Sequence, residues 1–396
     1  MIYLDNAATT PMSEEVVGRV DEAMQDLFAN SGTPYKIGLD AKGLIGKSAE
    51  SIARYLKIPS THRIIFTSGG TESNNLFIKG LCFPDKKTAF LGLEHPSVTE
   101  SLAYFSQFAN EPLSLLPFQR EGRLDLTSIA NLKENSIKLL CLSHVNNELG
   151  TVNDPLKIIS ALAKKSPKTR FFLDGVQAIG KLPVDHEMWK GLAGYSVSGH
   201  KIHGPKGIGL LVYDSKLDLN PQMHGGKQQF GIRSGTLPLP LIVGLETAIK
   251  HAVAQTEQTQ NHLQNLCRHL NQGLQAIQDQ IPELDIGFNS LVDADVTHQS
   301  PGIVNFSFTP VEGEIILHHL EAKNIFVGLG SACSAQSKKP SKILMGIGLS
   351  EEQARCSLRI SFSRNNTIEE IDQFLEAFGD AYQSLYPTFS QKAGHQ

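Results

Sequence analysis

Short apolar runs alternate with longer amphipathic stretches from about residue 13 to residue 243. The runs lie at Ile64–Phe66, Ala89–Leu93, Lys138–Leu142, Phe171–Leu173 and Leu192–Val197. Apolar runs of this length between helical patterns are typical of buried parallel strands joined by helices. The pattern therefore predicts an α/β fold with a mainly parallel sheet covered by helices, in a large domain spanning residues 13–243.

The pattern changes after residue 243. A long helical stretch, about Leu241 to Ile277, precedes an alternating strand at Val304–Phe308, and a further strand is predicted at Ser357–Ser361. Thr367 and Glu370 have the spacing of a capping box and predict the start of a final helix. These elements predict a smaller α+β C-terminal domain over residues 244–396.

Composition narrows the class of protein. The 396 residues are 40% hydrophobic and 19% charged, and the net charge of −4 argues against general binding to nucleic acid or a membrane surface. No apolar run is long enough to cross a bilayer, and no signal peptide is evident. An odd number of cysteines, five, argues against a disulfide framework. We therefore expect a cytoplasmic protein.

Lys201 follows the apolar run Leu192–Val197 and precedes a glycine-rich turn. A lysine at the end of a buried strand is costly unless its charge is used or removed. One use is a Schiff base with an aldehyde cofactor, which a partly desolvated amine forms readily. Taken alone, a lysine in such a position is more often a solvated surface residue than a Schiff-base lysine. The neighbouring motifs are needed to distinguish these two roles for Lys201.

Two polar residues follow the run Phe171–Leu173. Asp174 suits either the N-cap of a helix or a carboxylate paired with the protonated pyridine nitrogen of pyridoxal phosphate. Gln177, about one turn further on, suits either a hydrogen bond to the phenolic oxygen of that cofactor or a place on a helix surface.

The turn after Ile64–Phe66 resembles a phosphate cradle. Around Gly70 and Thr71, glycines let the backbone approach an anion, and free amides and the helix dipole attract it. The alternative is an ordinary strand–turn–helix link. Further along, His95 suits either a loop position or a ring stacked on a pyridine, and Asn147 suits a simple turn.

The cysteines differ in their surroundings. Cys333 lies among small, polar and basic residues between Gly328 and Pro340, which predicts an exposed, flexible loop with positive charge nearby. Such charge favours the reactive thiolate, although local sequence supports a reactive and an inert cysteine about equally. The others lie in apolar or helical contexts and are predicted to be packing residues: Cys82, Cys141, Cys267 and Cys356.

Together, and in this order, these motifs resemble the class V aminotransferase family of fold-type I pyridoxal-phosphate enzymes. More narrowly, they resemble the cysteine desulfurases of iron–sulfur cluster assembly. The resemblance extends from Tyr3–Pro11 to Leu358–Ser361. It implies a seven-stranded sheet in the large domain and an N-terminal segment, residues 1–12, that packs on the small domain. Residues 328–340 resemble the subgroup with a long mobile cysteine loop.

The resemblance implies a role for each candidate residue. Lys201 is the Schiff-base lysine and proton carrier, Cys333 is the nucleophile that takes the sulfur, and His95 stacks on the cofactor. Arg359 binds the substrate carboxylate through a bidentate guanidinium, and Asn147 also lies near the substrate. The other implied cofactor contacts are Gly70, Thr71, Asn147, Asp174, Gln177, Ser198, His200 and Thr236, the last from the other subunit of a homodimer.

The implied reaction removes sulfur from L-cysteine, gives L-alanine and leaves a persulfide on Cys333. A sulfur-acceptor protein, for iron–sulfur cluster assembly or tRNA thiolation, is the implied partner. A selenocysteine lyase, another class V enzyme and a degenerate partner-binding scaffold are the alternatives. No metal site is implied beyond transient iron–sulfur ligation by Cys333, and no binding to nucleic acid or membrane.

Four positions depart from the usual pattern of the family. Tyr35 stands where histidine is expected, Ala193 where aspartate is usual, His203 where tyrosine is common and Gln229 where glutamate is frequent. None of these removes a residue that the chemistry requires. They indicate a divergent or specialised member.

Overall fold

The computed structural model describes residues 1–81, 87–107, 113–133, 136–292, 295–330 and 339–393. Cys82 and Cys333 lie outside these residues, so the expectations for both stay predictions. None of the helices in the described ranges combines the length and apolar content that a bilayer crossing requires.

The larger sheet contains seven strands among the described residues, in the spatial order β2-β8-β7-β6-β5-β3-β4. Only β8 runs antiparallel to its neighbours, so the predicted mainly parallel, seven-stranded sheet is confirmed. The strands are β2 (His62–Thr67), β3 (Thr88–Phe90), β4 (Ser114–Leu115), β5 (Leu139–Ser143), β6 (Arg170–Asp174), β7 (Leu192–Ser198) and β8 (Gly209–Asp214).

Helices cover both faces of this sheet. Phe171 and Leu173 on β6 pack into the core on one face, and Phe172 packs into the core on the other. Burial on both faces explains why the central strands are continuously apolar instead of alternating. The described helices before and around the sheet are α1 (Glu14–Asp26), α2 (Lys36–Tyr55), α3 (Gly70–Gly80), α4 (Pro96–Ser106), α5 (Leu126–Ala130), α6 (Pro155–Lys165) and α7 (Leu239–Ala254).

The stretch predicted to be helical from about Leu241 to Ile277 is helical except at Gln255. The structure has two helices, α7 and α8 (Thr256–Gln280), separated at Gln255, whose ψ of 9° is not helical. Helix α7 packs on α1 and α2, whereas α8 packs on the last helix, so the break is where the chain changes units. Apolar side chains of α7 as far as Ala252 belong to the core of the larger unit, beyond residue 243.

The smaller unit is built on the sheet β12-β10-β9. Its strands are β9 (Asp285–Phe288), β10 (Ile303–Thr309) and β12 (Ser357–Ser361), and its helices are α8, α9 (Gly313–Ala322), α10 (Lys342–Gly346), α11 (Glu351–Arg355) and α12 (Ile368–Ala393). Thr367 and Glu370 form the predicted capping box before α12, because each side chain accepts a hydrogen bond from the other's backbone amide.

The N-terminal segment joins this smaller unit. Strand β1 (Ile2–Tyr3) pairs with β11 (Ile325–Phe326), and Leu4 is buried in the core of the smaller unit. Beyond Leu4 the segment leaves that core, since Ala7 packs with Val145 of the larger unit. Residues 5–10 therefore lie between the two units.

Candidate active site

The carboxyl ends of the central parallel strands meet at one edge of the sheet. Ser143 on β5 lies opposite Asp174 on β6, and Asp174 lies opposite Ser196 on β7. Ligands of open α/β sheets bind outside this edge, because loops from several strands converge there. The strand-end residues singled out from the sequence are thus neighbours in space.

A cleft of about 220 Å³ opens at this edge. It is lined by these predicted residues: Gly70, Thr71, His95, Asn147, Asp174, Gln177, Ser198, His200, Lys201 and Arg359. Thr236 is exposed and does not line it. Sequence reasoning missed the other lining residues, which are Ala7, Ala8, Asn74, Ser97, Ser143, Val145 and Val176.

Asp174 is held in place by three donors. Asn74 Nδ2 donates to its Oδ2 over 2.7 Å, while the Val176 amide (3.0 Å) and Ser196 Oγ (3.2 Å) donate to Oδ1. Both carboxylate oxygens are therefore oriented, and the side chain is 7% exposed. A fixed, buried carboxylate of this kind suits an ion pair with a cationic ligand atom.

His95 is linked to Asp174 through hydrogen-bonded side chains. The Ser97 amide donates to His95 Nδ1 over 3.1 Å, and Ser97 Oγ lies 2.8 Å from the same nitrogen. Ser97 Oγ in turn accepts from Asn74 Nδ2, the donor to Asp174. Desolvation is the largest effect on His95 and lowers its pKa. The ring is thus held neutral, with Nδ1 as acceptor and the proton on Nε2.

Glu94 is a buried carboxyl group behind His95 that sequence reasoning did not single out. Desolvation, with the nearby charge of Asp174, raises its pKa to about 8, although Ser143 Oγ is a hydrogen-bond partner. Glu94 is therefore protonated at neutral pH and adds no negative charge at this edge of the sheet.

We expect the Glu94→Gln variant to lose the pH dependence that Glu94 imposes on stability. Between about pH 4.5 and pH 8 the unfolded chain ionises Glu94 while the folded chain keeps it protonated. The folded state thus binds more protons, and the free energy of unfolding falls as pH rises, by about 1.4 kcal/mol per unit of pKa difference. Urea unfolding at several pH values checks this.

The exposed Glu100 on α4 provides the matched control, Glu100→Gln, which should follow the wild-type pH curve. Parallel curves for Glu94→Gln and wild type across the whole window would contradict the assignment of a protonated Glu94.

The N-terminal segment holds Lys201. Lys201 Nζ donates to the carbonyl oxygens of Ala7 and Ala8, the latter over 2.6 Å. Thr10 donates to the His200 carbonyl from both its amide (2.8 Å) and its hydroxyl (3.0 Å). Desolvation and the charge of Lys201 lower the pKa of His200 to about 4, so its ring is neutral. The turn carrying Lys201 therefore packs against the N-terminal segment, almost 200 residues earlier in the chain.

Arg359 reaches the cleft from β12 in the smaller unit. Its guanidinium donates to Asp5 Oδ1 over 2.6 Å and to the Asn147 carbonyl over 2.8 Å, and its Nε has no hydrogen-bond partner among the described residues. The side chain is 2% exposed, so a buried donor without a partner is costly. Because Arg359 lines the cleft, an anionic ligand bound there would meet its guanidinium.

The residues present fit a phosphorylated pyridine aldehyde. Ser198 Oγ is buried without a partner among the described residues, and it lies beside the first turn of α3. The first amides of that helix have no intrahelical acceptor. A Cβ on Gly70 would lie 2.5 Å from Val176 Cγ2, so glycine keeps this approach open. An anion-binding turn, an oriented carboxylate and a lysine thus meet in one cleft.

Two of the unusual residues have a structural explanation. Gln229 accepts from the Phe66 amide (2.7 Å) and donates to the Phe66 carbonyl (2.9 Å), a pairing that a glutamate could not complete. His203 Nδ1 pairs with the Pro11 carbonyl over 2.9 Å, and burial lowers its pKa. Tyr35 is exposed and Ala193 is buried in the core, and nothing in the structure explains either departure.

Comparison with known proteins identifies the family. The model of the class-V aminotransferase family matches residues 2–374. The cysteine desulfurase IscS of Methanosarcina thermophila is 34% identical over 388 residues, which cover 97% of this chain and 92% of that protein. The chain belongs to the class-V aminotransferase family, among the cysteine desulfurases. The IscS of Rickettsia bellii is 37% identical, over 94% of this chain and 88% of that protein.

Solved cysteine desulfurase-like structures share the fold. A NifS-like protein superposes with a TM-score of 0.87 at 26% identity, covering 97% of this chain and all of that chain. The structure of SspA in complex with cysteine gives a TM-score of 0.73 at 30% identity, over 93% of this chain and all of that one. The predicted fold class and family are therefore confirmed.

Proposed function

We propose that this desulfurase uses pyridoxal phosphate to remove sulfur from L-cysteine and leave L-alanine. The cleft in which Lys201, Asp174 and Arg359 converge carries the proposal. An amine for the aldehyde and an oriented carboxylate for the ring nitrogen are what that cofactor requires. A guanidinium on the wall of the cleft suits the carboxylate of an amino acid.

Each residue of the cleft has a separate role in the proposed reaction. When bound, pyridoxal phosphate supplies an electron sink for negative charge at the substrate Cα. Lys201 Nζ removes the proton from Cα and later returns one. Asp174 keeps its charge directed at the ring nitrogen, because Asn74 and Ser196 leave its oxygens no other orientation. The neutral ring of His95 stacks on the cofactor without adding charge.

Gly70, Thr71, Ser198 and His200 hold the phosphate, while Gln177 and Asn147 contact the phenolic oxygen. Arg359 binds the substrate carboxylate and so fixes which face of Cα meets Lys201. A substrate held at its carboxylate, with Cα facing Lys201, loses the translational and rotational freedom that slows the uncatalysed reaction.

Cys333 takes the sulfur. The Cys333 thiolate attacks the substrate sulfur and forms a sulfur–sulfur bond as the carbon–sulfur bond breaks. The electron pair of the broken bond stays on the carbon fragment, which gains a proton and leaves as alanine. Burial raises the pKa of Cys141, and it raises those of Cys267 and Cys356 to about 12, so none of these thiols forms a thiolate readily. This supports Cys333 as the nucleophile.

Residues on either side of Cys333 in the sequence are held next to residues of the cleft. The Gly328 amide donates to the Arg359 carbonyl over 3.0 Å, and Ser341 Oγ donates to Glu148 Oε2 over 2.5 Å. Glu148 follows Asn147 directly in the chain. Both ends of residues 328–341 are thus anchored beside substrate-binding residues.

The same chain forms a homodimer in this proposal. Large apolar side chains are exposed on and between α1 and α2, among them Phe28 (78%), Tyr35 (55%) and Ile37 (53%). Large apolar side chains exposed together on a surface are typical of a subunit interface. Thr236, exposed and outside its own cleft, reaches the phosphate in the partner subunit.

An iron–sulfur scaffold or tRNA-thiolation protein in the cytoplasm accepts the sulfur.

A hybrid dimer tests the role of Thr236. Lys201→Ala and Thr236→Glu subunits are separately tagged and purified together; the glutamate places a negative charge against the phosphate. We expect the hybrid to recover about half of wild-type activity, since one of its two clefts then has both an intact Lys201 and an intact partner Thr236. A hybrid no more active than the Thr236→Glu dimer would show that Thr236 serves its own cleft.

The assay for the whole proposal measures alanine and sulfide from L-cysteine with a thiol reductant. Equal amounts of the two products are expected from cofactor-loaded protein. Selenocysteine as the only productive substrate would favour the lyase alternative. Loaded protein that forms no alanine from either amino acid would contradict the proposal.

A further inference from the structure

Lys181 is a buried lysine that the proposed chemistry does not use. Its side chain is 8% exposed, and no carboxylate of the described residues lies within ion-pair distance. Burial, together with the positive charges of Lys201 and Arg359, lowers the pKa of Lys181 to about 7. A cation buried beside other cations opposes folding, whereas an apolar residue there would not. The amine therefore needs an explanation.

The described partner of Lys181 is the side chain of Gln177. Lys181 Nζ donates to Gln177 Oε1 over 2.9 Å. At the other end of the amide, Gln177 Nε2 donates over 2.8 Å to the Ala7 carbonyl, which also accepts from Lys201. Gln177 lines the cleft, but Lys181 does not. Lys181 thus contacts the amide from behind the site.

An amide can be rotated by half a turn at little steric cost, but protonated Lys181, the form that prevails below about pH 7, has only donors and so binds only the oxygen end. Rotating the Gln177 amide would set Nε2 against the donor Lys181 and Oε1 against the Ala7 carbonyl. Both contacts would then be repulsive. The pair Lys181 and Ala7 therefore admits one orientation, with the NH₂ group toward the cleft.

We infer that Lys181 is a positioning residue that fixes the Gln177 amide so that its NH₂ group faces the phenolic oxygen of the cofactor. This inference rests on the proposed function, which places pyridoxal phosphate in the cleft. A rotated amide would present an acceptor to an oxygen that carries negative charge. Lys181 thus sets the donor pattern of the cleft without touching the cofactor.

A double-mutant cycle on the loaded enzyme tests the inference. The variants are Lys181→Met, Gln177→Ala and the double variant, and the measurements are the dissociation constant of pyridoxal phosphate and the pH titration of its yellow absorbance. Below about pH 7, where Lys181 is protonated, we expect Lys181→Met to bind the cofactor about tenfold more weakly, because the Gln177 amide is then no longer held to donate to the phenolic oxygen. In the Gln177→Ala background the same change should have no further effect on either measurement.

Gln177→Glu is a second probe, because a carboxylate still accepts from Lys181 but offers no donor to the cleft. We expect it to weaken cofactor binding at least as much as Gln177→Ala does and to lower the melting temperature, because a carboxylate oxygen then faces the Ala7 carbonyl. Lys190→Met, at an exposed lysine on the turn His186–Lys190, is the matched control and should behave as wild type.

The outcomes separate clearly. Cofactor binding by Lys181→Met equal to wild type would overturn the inference. The inference would also be overturned if Lys181→Met had equal effects in the wild-type and Gln177→Ala backgrounds. That result would mean that the charge of Lys181 acts on Lys201 directly. Wild-type protein that binds no pyridoxal phosphate at all would instead overturn the proposed function.

Discussion

The Lys201→Ala variant is expected to be colourless and to form no measurable alanine from L-cysteine. Lys201 is the amine of the cleft held between strand β7 and the N-terminal carbonyls of Ala7 and Ala8. Removing it deletes both the covalent link to the cofactor and the group that moves the Cα proton. Proton transfer alone is worth about 10²–10⁴-fold in rate. Absorbance spectra and alanine assays on the purified variant measure both losses.

The matched control is Lys206→Ala, since Lys206 is exposed and lies on the same turn. It should keep the colour and the activity of wild type. If Lys201→Ala remained yellow and active while folding normally, another lysine would hold the cofactor, and the role assigned to the cleft would be wrong.

The Cys333→Ala variant is expected to separate the two halves of the reaction. It should bind pyridoxal phosphate and L-cysteine as wild type does, because Lys201, Asp174 and Arg359 are unchanged. Its production of sulfide and alanine should fall to the background level, because no thiolate takes the substrate sulfur. Spectral titration with L-cysteine reports binding, and product analysis reports turnover.

Cys267→Ala is the control for removal of a thiol. Cys267 contacts the Pro301 carbonyl, away from the cleft, so activity should be retained. A Cys333→Ala variant that turned over L-cysteine at the wild-type rate would show that another group accepts the sulfur.

The sequence predicted those parts of the site that follow strand ends. Asp174, Lys201, Gly70 and His95 each come within four residues after the end of an apolar run, and the sheet brings these ends to one edge. The family resemblance then supplied Arg359, which no local pattern in the smaller unit marks. These residues line one cleft, as the motif order implied.

The supporting residues could not be predicted, because their roles depend on contacts across long stretches of chain. Asn74 acts on Asp174 from a hundred residues away, and Asp5 pairs with Arg359 across nearly the whole sequence. Lys181 resembles any turn lysine until its burial is known. The break at Gln255 is likewise set by packing, since no glycine or proline marks it.

The most direct test of the central claim is to locate the sulfur. Loaded protein is treated with L-cysteine without reductant, alkylated, digested and mapped by mass spectrometry. We expect one extra sulfur atom on the peptide containing Cys333 and none on peptides containing Cys82, Cys141, Cys267 or Cys356. Alanine formation with the extra sulfur on another cysteine, or on none, would contradict it.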